Sequence, residues 1–318
     1  MDLLEAYERA RTDGVAITRP DAGLVRLSGP QRVWFLQNTI TSDVESVPCG
    51  RVVESCFLNP KGKVLAHFRV GVGGEELWID VDPPATSDLV DWFVRYRFRT
   101  QVQIEDVSAG AVTVVGPAAR RFADDAEMRL TNGAVAFGWT LSAAAGPDGW
   151  TFPDPIAVTE VHGGAADDLP RAAPDLWDVL RIERGVGRFG VDYGRDTLPQ
   201  EAGLTRIVSV DKGCYVGQEV VARLHFRGHV NRVLRPLQLR SVADGVGRSL
   251  LEGETKVGVV TSAVRSPALG DIGIGMVRVS VETGTVTNVE GGGTAAVGPV
   301  PGATKTSSDE RRPPKIHR

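Results

Sequence analysis

Between residues 101 and 184 the chain strings short apolar segments, at 102–107, 111–115, 134–141, 150–152 and 156–160, around one helical stretch at 117–126. A helix at 175–184 closes the run, with Leu176, Val179, Leu180 and Glu183 at helical spacing. One helix inserted among antiparallel strands, with a second behind, restricts this part to an α+β sandwich of ferredoxin-like type over 101–189. The first hundred residues mix both element types. An apolar run at 24–27 ends in Ser28-Gly29-Pro30 and leads into a helix through Val33, Phe35 and Leu36. Strands at 51–58 and 64–72 are joined by the turn Asn59-Pro60-Lys61-Gly62. A strand at 77–81 and a helix with Leu89, Trp92, Phe93 and Tyr96 on its apolar face follow. Beyond Gly228 the helical signal fades, and strands at 233–239, 256–263, 273–279 and 285–289 read as a small β-barrel over 233–290. The Gly-, Pro- and Ser-rich residues 291–318 are expected to form a disordered tail.

The chain has 318 residues, room for about two domains or three small ones. Its formal net charge is −4, although residues 303–318 carry five cations against two acids. That balance excludes a protein that grips duplex nucleic acid over its whole surface. Three cysteines, Cys49, Cys56 and Cys214, form no close pair, which fits a reducing cytoplasm better than a disulfide scaffold. The longest uncharged run of interest, 130–147, alternates Val135, Phe137, Trp139 and Leu141 with small residues, the pattern of a half-buried strand and not of a membrane span. The N-terminal residues are acidic and mixed, unlike a signal peptide. A cytoplasmic protein without a membrane segment is expected.

Two motif matches are misleading. Gly185-Val-Gly-Arg-Phe-Gly190 has the glycine spacing of a dinucleotide loop, but it follows a helix where that motif needs a strand. His225 and His229 stand four apart, but Gly228 interrupts the helix between them and no carboxylate or thiol is near in sequence. No metal site is expected from these residues. The segment 211–223, Asp-Lys-Gly-Cys-Tyr-Val-Gly-Gln-Glu-Val-Val-Ala-Arg, is more informative. It places Cys214 in a loop running into a helix, with Lys212 two residues away, and both features favour a thiolate over a thiol. From the residues alone, a reactive thiol and an inert packed cysteine both stand.

The run Lys212-Gly-Cys-Tyr-Val-Gly-Gln-Glu219 resembles the signature of the YgfZ-type folate-binding proteins, which share their fold with the glycine cleavage T-protein. The blocks 35–44, 59–63, 180–185 and 199–204 resemble further stretches of that superfamily, in the same order. The resemblance implies three lobes around a central tetrahydrofolate pocket, with residues 1–100 as a folate-binding lobe continued by 190–232. It implies that Glu183 receives the pterin, since a carboxylate can accept two parallel N–H bonds from an aminopyrimidine edge. The bland alternative is an exposed helix residue, with an ion pair to Arg184 excluded by adjacency. Asn38, Thr41, Asp43, Tyr215, Gln218 and Arg223 are the accompanying cofactor-binding candidates, and Cys214 with Lys212 the catalytic ones.

The departures are equally specific. Where aminomethyltransferases carry an acidic pair after the hairpin glycines, this chain has Ala66-His67, and the pocket Asn of the next strand is replaced by Asp82 or a neighbour. The resemblance thus implies a folate-binding protein supporting iron–sulfur cluster assembly or repair, with folate and cluster-assembly or client proteins as partners. A folate-dependent aminomethyltransferase is the alternative.

Overall fold

A computed structural model describes residues 1–83, 85–142, 154–242 and 245–299. The expected strand at 150–152 and most of the expected tail lie outside the described residues.

The fold is α+β, with two open sheets and a closed barrel. In the first sheet β3 (Val52–Leu58), β4 (Val64–Val72), β5 (Glu76–Val81), β2 (Gly23–Ser28) and β6 (Gln103–Asp106) lie side by side in that order, all antiparallel. Two helices, α2 (Arg32–Gln37) and α3 (Thr86–Arg97), cover its apolar face. Phe93 of α3 meets Phe35, Phe57 and Phe68 edge-on at 5.5–6.3 Å between ring centres. Such edge-to-face pairs add about 0.5–1.5 kcal/mol each beyond the area buried.

The second sheet runs β11 (Arg171–Ala172), β1 (Val15–Arg19), β7 (Ala111–Val115), β10 (Ile156–His162), β9 (Ala134–Leu141) and β8 (Met128–Thr131). Helices α1 (Leu3–Thr12) and α4 (Asp175–Glu183) share one core with it, where Ala6 and Ala10 meet Val15, Ile17, Val158, Leu176 and Leu180. The barrel closes in the order β12 (Arg232–Arg240), β15 (Gly270–Arg278), β14 (Thr255–Ser266), β13 (Ser249–Glu252), β16 (Val286–Val289) and β17 (Thr294–Val297). Helix α5 (Gln218–Arg227) follows the second sheet and α4 in the chain and precedes the barrel.

Several sequence boundaries move. Residues 3–19 leave the first lobe, because β1 pairs with β7 and β11. The strand at 102–107 joins the first sheet through β2. The helix expected at 117–126 is a 3₁₀ turn over Pro117–Arg121; Thr159 Oγ donates to the carbonyls of Ala119 and Ala123, and Ala126 turns to φ +54°. The barrel does not end at 290. Ala295 and Val297 are fully buried in β17, which pairs with β12 and β16, so the first residues of the expected tail, 291–297, form a turn and a core strand.

Candidate functional site

The turn of the β3–β4 hairpin and the loop before α5 grip each other through two glycines. Gly217 caps α5 at φ +81°, and a Cβ there would stand 2.5 Å from the Asn59 carbonyl oxygen. Gly62, at φ +73°, faces Val220 and Val221 of the helix, and its own Cα would be 3.2 Å from that Cβ. Asn59 completes the turn by accepting the Lys61 and Lys63 backbone N–H groups. The 59–63 and 212–219 blocks, far apart in sequence, are therefore two halves of one joint.

Lys212 fixes the other side of this loop. Its ammonium donates to the carbonyls of Gln37 (2.7 Å) and Ser42 (2.6 Å) and lies 5.1 Å from the centre of the Tyr215 ring. Burial pushes its pKa down to about 8, against the opposing pull of Asp43 and Glu45. The charge paired with the thiol in the sequence reading is thus directed into the 37–42 loop. Tyr215 is buried and donates to the Ser209 carbonyl, and Gln218 donates to that of Lys212. Cys214 itself is exposed, four residues before α5 begins. Cys56, by contrast, is fully buried, and burial with the nearby Glu54 charge raises its pKa. His225 is in α5 and His229 beyond its end, so no single helix face carries both.

The remaining candidates of the 35–44 block serve this same joint. Thr41 is buried, accepts the Cys56 N–H and donates to the Ile207 carbonyl. Asp43 accepts from Gln37, and this bond with those from Ser46 and the Lys212 charge holds its pKa low although burial acts the other way. Asn38 caps α2 by donating to the Trp34 carbonyl. Arg223 is exposed on α5.

Glu183 lies elsewhere. It is buried at the end of α4, accepting from Ser266 of the barrel at 2.5 Å and from Tyr7 of α1 at 3.3 Å. An ion pair with Arg184 at 3.5 Å forms despite adjacency, because both side chains turn inward as the helix ends at Arg184. Glu183 is neither exposed nor without charged partners.

Between the first sheet, α4 and the loop 186–189 lies a cleft whose lining includes neither Cys214 nor Glu183. His67 stands in it, at one of the two positions vacated by the acidic pair. Its Nε2 is 3.0 Å from Glu54 Oε1 and its Nδ1 is 2.8 Å from Tyr193 Oη. Burial would raise the Glu54 pKa, but the His67 hydrogen bond and the charges of His67, Arg69 and Arg206 hold it far below the usual carboxylate range. Burial drives the Tyr193 pKa well above its ordinary value. A neutral phenol, an imidazole and a carboxylate thus stand in a hydrogen-bonded row.

Deeper in the cleft wall is a cluster that sequence reading missed. Asp80, the neighbour of Asp82 in the pocket-Asn strand, is 3.0 Å from His162 Nε2 and 3.2 Å from Arg69. Asp82 accepts from Arg19 at 2.6 Å, and Arg19 is 3.7 Å from Glu160. Arg69 also stacks 3.6 Å from the ring centre of Trp139. The ligand-type atoms of Asp80, Glu160 and His162 lie within 4.8 Å of one another, close enough to hold a metal ion. Within the cluster three acids face two arginines and an imidazole; burial raises the Glu160 pKa, and the bond and charge of Asp80 raise that of His162 against the effect of burial. The missed signal was the alternation in 160–162, which puts Glu160 and His162 on one face of β10.

No family model matches the chain. The tRNA-modifying protein YgfZ of Serratia proteamaculans is 29% identical over 269 residues, covering 78% of this chain and 80% of that protein. The aminomethyltransferase of Nostoc sp. is 28% identical over 278 residues, covering 78% and 72%. The mitochondrial iron–sulfur cluster assembly factor IBA57 homolog of Mycosarcoma maydis is 26% identical over 239 residues, covering 69% of this chain and 55% of that protein. Among solved structures, glycine cleavage system aminomethyltransferase T from Bartonella henselae has the same fold, with a TM-score of 0.77 at 19% identity over 93% of this chain and 88% of its own.

Proposed function

From the premise that the chain is a YgfZ-type member of the T-protein superfamily, we propose that it binds tetrahydrofolate and supports iron–sulfur cluster assembly or repair in the cytoplasm, with Cys214 as its functional thiol. The observation that carries this reading is the seating of Cys214. An exposed thiol rides on a loop fixed from both sides, by the Gly62–Gly217 joint and by the Lys212 ammonium. A single cysteine supplies one ligand where a cluster needs four, so the others come from a partner chain or a small thiol. A relative is named for tRNA modification, which makes cluster-carrying tRNA-modifying enzymes the first clients to examine.

The cleft suits a folate in its chemistry. Carboxylates of Asp80 and Asp82 match the N–H donors of a pterin, Trp177 and Phe189 offer ring faces, and Arg188 matches the glutamate carboxylates. Its enclosed space is about 60 Å³, so a bicyclic ring enters only as the surrounding side chains part. For Glu183 to take the pterin instead, it must release Ser266 or Tyr7.

The test is direct. In cells lacking the native protein, Cys214→Ala should fail to restore iron–sulfur enzyme activity; parent-level rescue would remove the thiol from the proposal. Calorimetry on the purified chain should detect tetrahydrofolate binding, and its absence would remove the folate. Glu183→Ala decides the pterin assignment in the same titration. The alternative, an aminomethyltransferase, is favoured by the names of several relatives. With Ala66-His67 in place of the acidic pair it lacks the carboxylate, and turnover with an aminomethylated carrier protein would restore it.

A further inference from the structure

At the C-terminal end of α3 the chain reads Arg95-Tyr-Arg-Phe-Arg99, cations alternating with aromatic rings. The helix ends at Arg97, whose carbonyl accepts the Thr100 N–H at 2.8 Å and closes a β-turn. Phe98 takes the first central position of that turn at φ +48° and ψ −111°, a place that glycine ordinarily fills. A bulky residue is strained there. Packing gives no reason for the ring, since Phe98 is 85% exposed.

Other rings surface nearby. Of the four exposed Phe, Tyr and Trp side chains among the described residues, three belong here: Phe98, Tyr96 at 40% and Trp34 of α2 at 54%. Helix α2 is tied to this end of α3. Gln31 donates its backbone N–H to the Gln101 carbonyl and accepts the Gln101 N–H on its side chain, and Phe35 meets Phe93. The cations are not neutralised. Among the described residues no acid pairs with Arg95, Arg97 or Arg99, and Asp88 of the same helix is taken by Arg195. Arg97 donates to the Val102 carbonyl, and the Arg99 guanidinium lies 5.6 Å from the centre of the Phe98 ring.

We propose that this end of α3 is a docking surface for a single-stranded nucleic acid, with unpaired bases stacking on Phe98 and Trp34 and phosphates meeting Arg95, Arg97 and Arg99. Such a strand alternates flat rings with anions along its length, and the surface offers the complementary set. An anionic lipid surface calls for a different layout, with rings on one helix face and cations on the other. Here successive residues, about 100° apart around the axis, mix the two kinds around the helix end. An acidic peptide would use the arginines but would leave the strained ring without a purpose. The net charge of −4 confines the contact to this patch, and a duplex hides the base faces that the rings would stack on. None of these residues lines the cleft, so the inference stands apart from the folate and thiol readings.

The test uses the full-length chain and a fluorescein-labelled oligouridine, read by anisotropy at low salt. The oligomer should bind, and log K against log salt should fall with a slope of about −2, at about 0.7 for each of three phosphates neutralised. Phe98→Gly removes the ring and relieves the turn. It should weaken binding about tenfold or more, keep the salt slope and melt no lower than the parent. A purely structural Phe98 gives the reverse, a lower melting temperature with unchanged affinity, and that result overturns the proposal. Arg95→Gln combined with Arg99→Gln should bring the slope to about −0.7. An oligouridine that does not bind at low salt, or a slope unmoved by the arginine pair, also overturns it. So does equal affinity for a duplex of the same length, or tighter binding to phosphatidylserine vesicles or polyglutamate than to the oligomer.

Discussion

The loop that carries Cys214 and the wall that carries Asp80 are held by opposite means. The loop is fixed by backbone contact: two glycines in left-handed conformations let it lie against the hairpin turn, and a lysine binds bare carbonyls. The wall is fixed by charged side chains from two sheets, with Asp80, Glu160 and His162 taken out of water and Arg19, Arg69 and Asp82 partly exposed. The first arrangement leaves a side chain free at the surface while its backbone stays put. The second makes each side chain depend on the charge of its neighbours and leaves His162 Nδ1 and Glu160 Oε1 without a hydrogen-bond partner. The proposed role of Cys214 would suit the first, and the proposed folate pocket the second.

The contrast can be broken by substitution. Asp80→Ala should have the largest effect, because it strands His162 and Arg69 among buried groups; removing one member of a buried pair costs about 3–5 kcal/mol. Equilibrium denaturation would show it, and a loss below about 1 kcal/mol would mean the cluster carries no such weight. Gly217→Ala combines a positive φ with the contact to the Asn59 carbonyl and should cost about 2 kcal/mol. It should also lower rescue of iron–sulfur enzymes in cells, since it moves the loop that carries the thiol. Tyr193→Phe removes the hydroxyl from His67 Nδ1 and should cost about 1 kcal/mol by the same measurement. Cys214→Ala should change stability by less than about 0.5 kcal/mol while abolishing rescue. A large stability change there would make Cys214 part of the joint instead of its cargo.

The same contrast explains what could be read in advance. The two halves of the joint were legible as turns, because each is a contiguous run of glycine and polar residues, but their contact was not. The wall was not. His67 and Asp82 were noticed singly, but Arg19, Asp80, Glu160 and His162 come from three strands whose pairing no local pattern dictates. Strand β17 was missed because Thr294-Ala-Ala-Val297 buries small residues after three glycines, and low apolar bulk next to a turn looks like a tail. Glu183 was placed on the right helix, but whether its carboxylate faces a cavity or another lobe depends on Tyr7 and Ser266, 176 and 83 residues away.

The assignment of β1 to the second sheet has a consequence for how the chain can be made. Val15–Arg19 is made well before its partners: one edge waits for Ala111–Val115 and the other for Arg171–Ala172. Both hydrogen-bonding edges of this short strand stay open until residue 115 has emerged, and one stays open until residue 172, past the middle of the sequence, the condition under which nascent chains pair wrongly. The first hundred residues should therefore not be a unit that can be excised or synthesised alone. Maturation of this protein is expected to be late, all at once, and slow in the way of folds dominated by distant contacts.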